Sequence, residues 1–396
     1  MSKEFPGVLA KTSPYPFNLK VSKAQGVYIY NENNTPYMDF IAGISVANIG
    51  HSHPKVIEAI KKQAEKHLHV MVYGEYQQDT QTDYAELLCQ HLPDELNQVY
   101  FVNSGAEAVE GALKLAKRVT QRTNIIAFNH SYHGNTHGAL SVSGNEQKKY
   151  AFRPLLPGVH FLPFNNLDAL TQINEQTAAV IIEPIQGDAG VRIASLAFLQ
   201  ELRRRCSEVG ALLIFDEIQT GFGRTGKLFA FEHYNVTPDI LCLGKALGGG
   251  LPMGAFISHA SYMELLTHDP VLGHITTFGG HPLPCAAGKA ALEVLVNENI
   301  IQQVESKGAY LAEKIQHNAI VEIRRKGLFF AIELANAEAV QSVVLHCKKK
   351  QLISFWFLSS PNCFRIAPPL TISYDEINDA IRILKQGFDN LSPTIN

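Results

Sequence analysis

Short runs in this 396-residue chain are apolar at successive positions and not at every second one: Gln98-Val-Tyr-Phe-Val102, Asn124-Ile-Ile-Ala-Phe128, Ala178-Ala-Val-Ile-Ile182, Ala211-Leu-Leu-Ile-Phe215, Ile240-Leu-Cys-Leu243 and Gly254-Ala-Phe-Ile257. A strand with one wet face alternates, so runs without alternation indicate strands covered on both faces. Helical patterns lie between them. Ala106 to Val119 places Val109, Leu113 and Ala116 on one stripe, and Ser195 to Val209 reads as a second helix. The pattern predicts an α/β fold whose mostly parallel central sheet lies between helical layers. With 46% hydrophobic and 18% charged residues, the chain has the composition of a globular enzyme long enough for two domains.

The ends of these runs carry the chemistry. Leu212-Leu-Ile-Phe-Asp216 finishes an apolar strand on a carboxylate. Asp239-Ile-Leu-Cys-Leu-Gly-Lys245-Ala-Leu-Gly-Gly-Gly puts a lysine just past the next strand, among leucines and glycines that let a ligand approach. Taken alone, such a lysine is as readily a strand-end residue with its head in solvent. In open parallel sheets, however, ligands bind beyond the carboxyl ends of the strands, so Asp216 and Lys245 would face one crevice. Desolvation would lower the lysine's pKa and free its amine to condense with an aldehyde. Pyridoxal phosphate needs that pair: a lysine for its aldehyde, and an acid that keeps its ring nitrogen protonated.

At these residues the chain resembles the class III pyridoxal-phosphate aminotransferases, which include the acetylornithine, ornithine and 4-aminobutyrate enzymes. The resemblance takes in Gly50-His-Ser-His-Pro54, Asn103-Ser-Gly-Ala-Glu-Ala108, Tyr132-His-Gly134, Glu183-Pro-Ile-Gln-Gly187, Asp216 to Gly226, Lys245, Thr276-Thr-Phe-Gly-Gly-His-Pro282 and Arg365-Ile-Ala-Pro-Pro-Leu370. It implies a fold-type I transferase: a large cofactor-binding domain over residues 46–289, and a smaller α+β domain from both chain ends, residues 1–45 and 290–396. A small hairpin at Val27-Tyr-Ile-Tyr and Thr35 to Phe40, and strand candidates near Glu322 to Leu334, agree with that division.

The resemblance also implies roles. Lys245 is the catalytic residue, first holding the cofactor and then, once displaced by the substrate amine, moving a proton from the substrate carbon to the cofactor carbon. Ser104, Gly105 and Ala106 open a helix whose unpaired N–H groups suit a phosphate. Tyr132 would stack on the cofactor ring, Asp216 would meet its nitrogen and Gln219 its phenolic oxygen. Thr277 would reach a phosphate across a subunit interface, making the protein a homodimer with shared sites. Arg365 would take the α-carboxylate of an amino or 2-oxo acid by a two-pronged contact. Glu183, Thr276 and Ile44 complete the substrate side.

Two positions depart from that pattern. Asn135 stands where acetylornithine and ornithine enzymes usually carry an arginine for the distal carboxylate. Asp188 stands where ornithine-type relatives carry a glutamate that pairs with the arginine, so its arm is one methylene shorter. Ile44 is more like the acetylornithine and aminobutyrate enzymes than ornithine aminotransferase, which has a tyrosine there. The reaction implied is transfer of the ω-amino group of an acetylornithine- or ornithine-like donor to a 2-oxo acid, 2-oxoglutarate foremost, with ping-pong kinetics. An ω-aminotransferase for 4-aminobutyrate, lysine or a diamine stays open as an alternative, with an aminomutase or an inactive cofactor-binding regulator further off.

His130, His133 and His137 invite a metal reading, but Gly134 and Gly138 argue for a loop, and no metal is expected. Glu217 and Arg224 read as structural. A net charge of −3 gives no reason to expect nucleic acid or an anionic membrane as partner. Cys89, Cys206, Cys242, Cys285, Cys347 and Cys363 form no CxxC and read as reduced thiols. No run approaches the ~18 apolar residues of a membrane span, and Met1 to Ala10 lacks the apolar core of a signal peptide, so the expectation is a cytoplasmic protein.

Overall fold

The computed structural model describes residues 8–13, 16–72 and 74–391. Residues 1–7, on which the reading of the chain's start partly rests, lie outside them. The centre of the molecule is a seven-stranded sheet in the order Gln98–Val102, Gly254–Ser258, Ile240–Gly244, Leu212–Asp216, Thr177–Ile182, Asn124–Phe128, Val159–Leu162. Gly254–Ser258 runs antiparallel to both its neighbours, and the remaining pairings are parallel. The mostly parallel sheet expected from the sequence is therefore present.

The runs lack alternation because each face of the sheet has its own cover. Ile125, Ala127, Ala179, Ile181, Leu212, Ile214, Ile240 and Cys242 share a core with Val109, Ala112 and Leu113 of the helix Gly105–Thr120. Their sequence neighbours Ile126, Phe128, Val180, Ile182, Leu213, Phe215, Leu241 and Leu243 join a second core with Phe198, Leu199 and Leu202 of the helix Leu196–Val209. Each of the larger side chains, the isoleucines, leucines, valines and phenylalanines, contributes about 1.5 to 3 kcal/mol on leaving water. Both helices begin on a serine: Ser104 accepts from the Glu107 N–H and Ser195 from the Phe198 N–H. They end on left-handed residues, Gln121 at φ +58° and Gly210 at φ +68°.

The edge strand Val159–Leu162 was not apparent from the sequence. It is half-wet, with His160 exposed, and so lacks the covered-strand signature. The expected hairpin is present as Tyr28–Asn31 paired antiparallel with Pro36–Asp39, joined by an exposed strand, Val21–Gln25. Leu352–Ile353 adds to this sheet parallel to Pro36–Asp39, which brings the two ends of the chain together. After the helices Pro282–Asn297 and Ile300–Lys314 comes an antiparallel sheet in the order Ile320–Lys326, Phe329–Leu334, Cys363–Ile366, Phe355–Trp356. Arg365 lies on its Cys363–Ile366 strand, opposite Ala331 and Phe355.

Arg224 ties these parts together. It is fully buried, and its Nη1 donates to the carbonyls of Leu328 (3.1 Å) and Pro368 (2.6 Å) while its Nη2 donates to Asn48 Oδ1. Glu217, also fully buried, accepts from the N–H groups of Ala230 (2.5 Å) and Phe231 (2.7 Å) and from the Thr220 hydroxyl (3.2 Å). Both therefore hold loops in place.

Candidate active site

The carboxyl ends of the parallel strands converge. Val102 leads into Ser104 and Gly105, Phe128 into the Tyr132 loop and Ile182 into Glu183; two further strands end in Asp216 and in Gly244, just before Lys245. Close packing draws these ends together. A Cβ on Gly244 would lie 3.3 Å from the Gly105 Cα and 3.2 Å from Ile218 Cγ2, and one on Gly105 would lie 2.7 Å from Ile218 Cδ1. A Cβ on Gly134, whose φ is +133°, would lie 2.9 Å from the Ala106 Cβ. Glycine is needed at these points because the start of the helix, the lysine turn and the Tyr132 loop touch there.

Lys245 sits at φ +50°, in the left-handed region that costs a non-glycine residue of order 1 kcal/mol or more, and such strain concentrates at functional sites. The residue is half-buried. Burial pushes its amine down to about 8 against the pull of Asp216, with Arg365 also lowering it and Glu183 and Asp188 raising it. All four charged groups thus stand close enough to act on one amine.

Asp216 is 5% exposed, and both its oxygens are engaged: Oδ1 accepts from the Ile218 N–H at 3.0 Å, and Oδ2 lies 2.8 Å from His133 Nδ1. His133 is itself buried, and its Nε2 has no partner among the described residues. Glu183 is buried and spends its two oxygens on backbone, Oε1 accepting from Tyr132 N (2.9 Å) and Oε2 from Gly187 N (3.0 Å). It fixes the Tyr132 loop against the turn that carries Asp188. Burial pushes its carboxyl up, with His133 opposing. Gln219 presses on that turn, since a Cβ on Gly187 would lie 2.3 Å from its Oε1, and its Nε2 is buried without a partner among the described residues.

Around Asp188 lies a cluster of charge. Arg365 is 4% exposed; its guanidinium lies 4.5 Å over the Phe357 ring, and its Nη2 is 3.8 Å from Asp188 Oδ1. Burial pushes it down to about 10, with Asp188 opposing. Asp188 Oδ1 also accepts from the Leu358 N–H at 3.2 Å. Asp188 Oδ2 accepts from Lys148 Nζ at 2.9 Å and from the Ser359 hydroxyl at 2.8 Å. The short-armed carboxylate thus meets the expected arginine only at long range, and a lysine holds its other side.

Tyr132 is 37% exposed, with Lys148 Nζ 5.4 Å from its ring centroid, and burial raises its hydroxyl, with Asp188, Asp216 and Glu183 adding to the rise. Asn135 is exposed beside this loop. Thr276 accepts from Asn103 Nδ2 at 2.8 Å, near the start of the cofactor-side helix, and the next residue, Thr277, is exposed. Ile44 lies in a turn, Ala42–Ser45, where four successive residues have positive φ (47° to 65°). Asp39 braces the turn, accepting from the N–H groups of Ile41 (3.0 Å) and Gly43 (3.1 Å), and the turn packs on the segment Lys245–Gly248.

Sequence reasoning missed three residues of this cluster. His133 was weighed only as a metal ligand, although it sits beside Tyr132 in the Tyr-His-Gly motif and meets Asp216. Lys148 and Ser359 had no local signal, because they reach Asp188 from distant parts of the chain. Of the six cysteines, all are free and all but Cys89 are buried.

The family model for class-III aminotransferases matches residues 9–388. The acetylornithine aminotransferase of Bacillus subtilis is 40% identical over 376 residues, covering 93% of this chain and 95% of that one. The same-named protein of Methanopyrus kandleri is 40% identical over 369 residues, covering 92% and 93%. A solved ornithine aminotransferase of Toxoplasma gondii, with pyridoxal phosphate at partial occupancy in its active site, is similar with a TM-score of 0.88 and 32% identity, covering 95% of this chain and 91% of that one.

Proposed function

This chain belongs to the class III aminotransferases, and we propose that it moves the ω-amino group of an acetylornithine- or ornithine-like donor to a 2-oxo acid, with 2-oxoglutarate the foremost acceptor. It is a pyridoxal-phosphate-dependent enzyme, and its substrates are an amine and a 2-oxo acid. The observation that carries the reading is the half-buried Lys245 at the end of its strand, its amine lowered by desolvation to about 8 against the pull of the Asp216 carboxylate.

The residues present fit the cofactor. Gln219 Nε2 is an unspent buried donor, the Gly105 end of a sixteen-residue helix offers free N–H groups, and a desolvated amine faces a carboxylate. When bound, pyridoxal phosphate supplies an aldehyde for amines and a ring that accepts electrons. Ser104, Gly105 and Ala106 would hold the phosphate, Tyr132 the ring face, Asp216 the ring nitrogen and Gln219 the phenolic oxygen.

His133 orients Asp216 through its Nδ1 contact. Lys245 would hold the cofactor through its amine, and with substrate present its Nζ would take up the proton of the substrate carbon as a base and give it back as an acid in the reverse half-reaction. A pKa near 8 suits both halves of that transfer. Arg365 binds the α-carboxylate, and its pairing with Asp188 lets its charge be covered when an ω-amine enters with no carboxylate near the reacting end. Glu183 positions Tyr132, while Thr276 and Ile44 bound the substrate side. Exposed Thr277 is consistent with service across an interface in a homodimer.

With the division into residues 1–45, 46–289 and 290–396, Arg365 and Lys245 would belong to different domains and meet at one site. No helix among the described residues is long and apolar enough to cross a membrane. A cytoplasmic setting agrees with that and with the free thiols. The second reading, a donor such as 4-aminobutyrate, lysine or a diamine, is favoured by one observation: Asn135, uncharged, stands exposed beside Tyr132.

The test is a single-turnover scan of the cofactor's visible absorbance against N-acetylornithine, ornithine, lysine, 4-aminobutyrate, putrescine and glutamate. Fast loss with N-acetylornithine or ornithine, restored by 2-oxoglutarate, supports the reading. Loss only with unrelated amines moves the donor to the second reading. Turnover without any 2-oxo acid refutes transamination.

A further inference from the structure

We propose that Lys148 is a second anion anchor of this site, and that Asp188 is the counter-ion it shares with Arg365 until a dicarboxylic substrate takes both cations. The proposal rests on the aminotransferase reading and names its acceptor class: 2-oxo acids with a second carboxylate.

The two cations flank one carboxylate. Arg365 Nη2 faces Asp188 Oδ1 at 3.8 Å, beyond hydrogen-bond length, and Lys148 Nζ holds Oδ2 at 2.9 Å. Arg365 keeps an unspent donor, since its Nε is buried with no partner among the described residues. Lys148 is not sealed in. Its side chain is 30% exposed, against 8% for that of Asp188, and it reaches to 5.4 Å from the Tyr132 ring.

The surroundings are built to hold Lys148 there and to let Asp188 release it. Asn145 caps the turn Glu146–Lys148 by accepting from the Gln147 N–H, and its Nδ2 donates to Ser359 Oγ at 3.0 Å, tying the turn to the segment before Arg365. Ser359 stands 3.4 Å from Lys148 Nζ and 2.8 Å from Asp188 Oδ2. When a substrate draws the cations away, Asp188 keeps the Leu358 N–H and the Ser359 hydroxyl as donors, so its charge is not left bare. A 2-oxo acid with two carboxylates places one on Arg365 and the distal one on Lys148. A monocarboxylic acid engages Arg365 and leaves Lys148 on Asp188.

Calorimetric titration of the holoenzyme with glutarate and butyrate tests this directly, because neither has an amine or a carbonyl to react. In K148M the ratio of glutarate to butyrate affinity falls about tenfold or more, the worth of one charge-assisted contact, and K148R restores most of it. The ratio of kcat/KM for 2-oxoglutarate over pyruvate falls in parallel. An unchanged glutarate-to-butyrate ratio in K148M, whether neither ligand or both are weakened, overturns the anchor. If the protein still holds cofactor and transfers amines in that case, the aminotransferase reading stands without it.

Discussion

Replacing His133 tests the cofactor side of the site most sharply. Asp216 is a buried carboxylate with one backbone donor and one side-chain donor, and the second is His133 Nδ1 at 2.8 Å. His133→Phe removes that donor while filling most of its volume. The carboxylate then keeps only the Ile218 N–H, and its charged form loses a contact worth about 1.5 to 3 kcal/mol in such a setting. A carboxylate freed on one side is aimed less firmly at the ring nitrogen. Cofactor affinity, measured by fluorescence titration of the apo-enzyme, should therefore fall about tenfold to hundredfold. His133→Asn supplies an amide nitrogen close to where Nδ1 stood and should recover most of the loss. Two results would refute the reasoning: affinity unchanged in His133→Phe, or equal losses in the two variants, which would make His133 a space-filling residue and nothing more.

Lys245→Ala should remove both the cofactor's characteristic visible absorbance and turnover while leaving the far-UV circular dichroism unchanged; surviving turnover would overthrow the role given to this amine. Because burial disfavours its charged form, Lys245 carries a proton below about pH 8 and is a free base above it. Uptake of added cofactor by the apo-enzyme should accordingly speed up through about pH 7 to 9 and then level off. A rate that keeps climbing to the ordinary lysine range would show the amine to be solvated. Arg224→Ala strands the carbonyls of Leu328 and Pro368 and the Asn48 amide oxygen, and should cost about 3 to 5 kcal/mol in chemical unfolding; a loss under about 1 kcal/mol would mean water replaces the guanidinium. Asn135→Arg should lower the Michaelis constants of carboxylated donors, and unchanged constants across the donor panel would exclude that position as an anchor.

What the sequence made legible follows from how each feature is encoded. The central strands declared themselves because both faces are covered, so Ile181 and Ile182 go to opposite cores and both must be apolar. Val159–Leu162 and Val21–Gln25 are edge strands with wet residues, and nothing in their composition separates them from loops. In the site, Asp216 and Lys245 were legible because a charged residue that ends an apolar strand is out of place locally. His133, Lys148 and Ser359 were not, because a polar residue in a loop acquires meaning only from what it meets, and Asp188 meets Ser359 across 171 positions.

The shortened arm of Asp188 links the two kinds of signal. The resemblance implies a glutamate at this position, and the aspartate that stands here meets Arg365 only at 3.8 Å. A buried carboxylate so loosely paired needs further donors, and those around it are Lys148, Ser359 and the Leu358 N–H. Lys148 and Arg365 thus stand as two cations on one carboxylate. Substitutions at 148, 188 and 359 should therefore act on substrate choice together and non-additively, because removing any one changes what the other two have to satisfy.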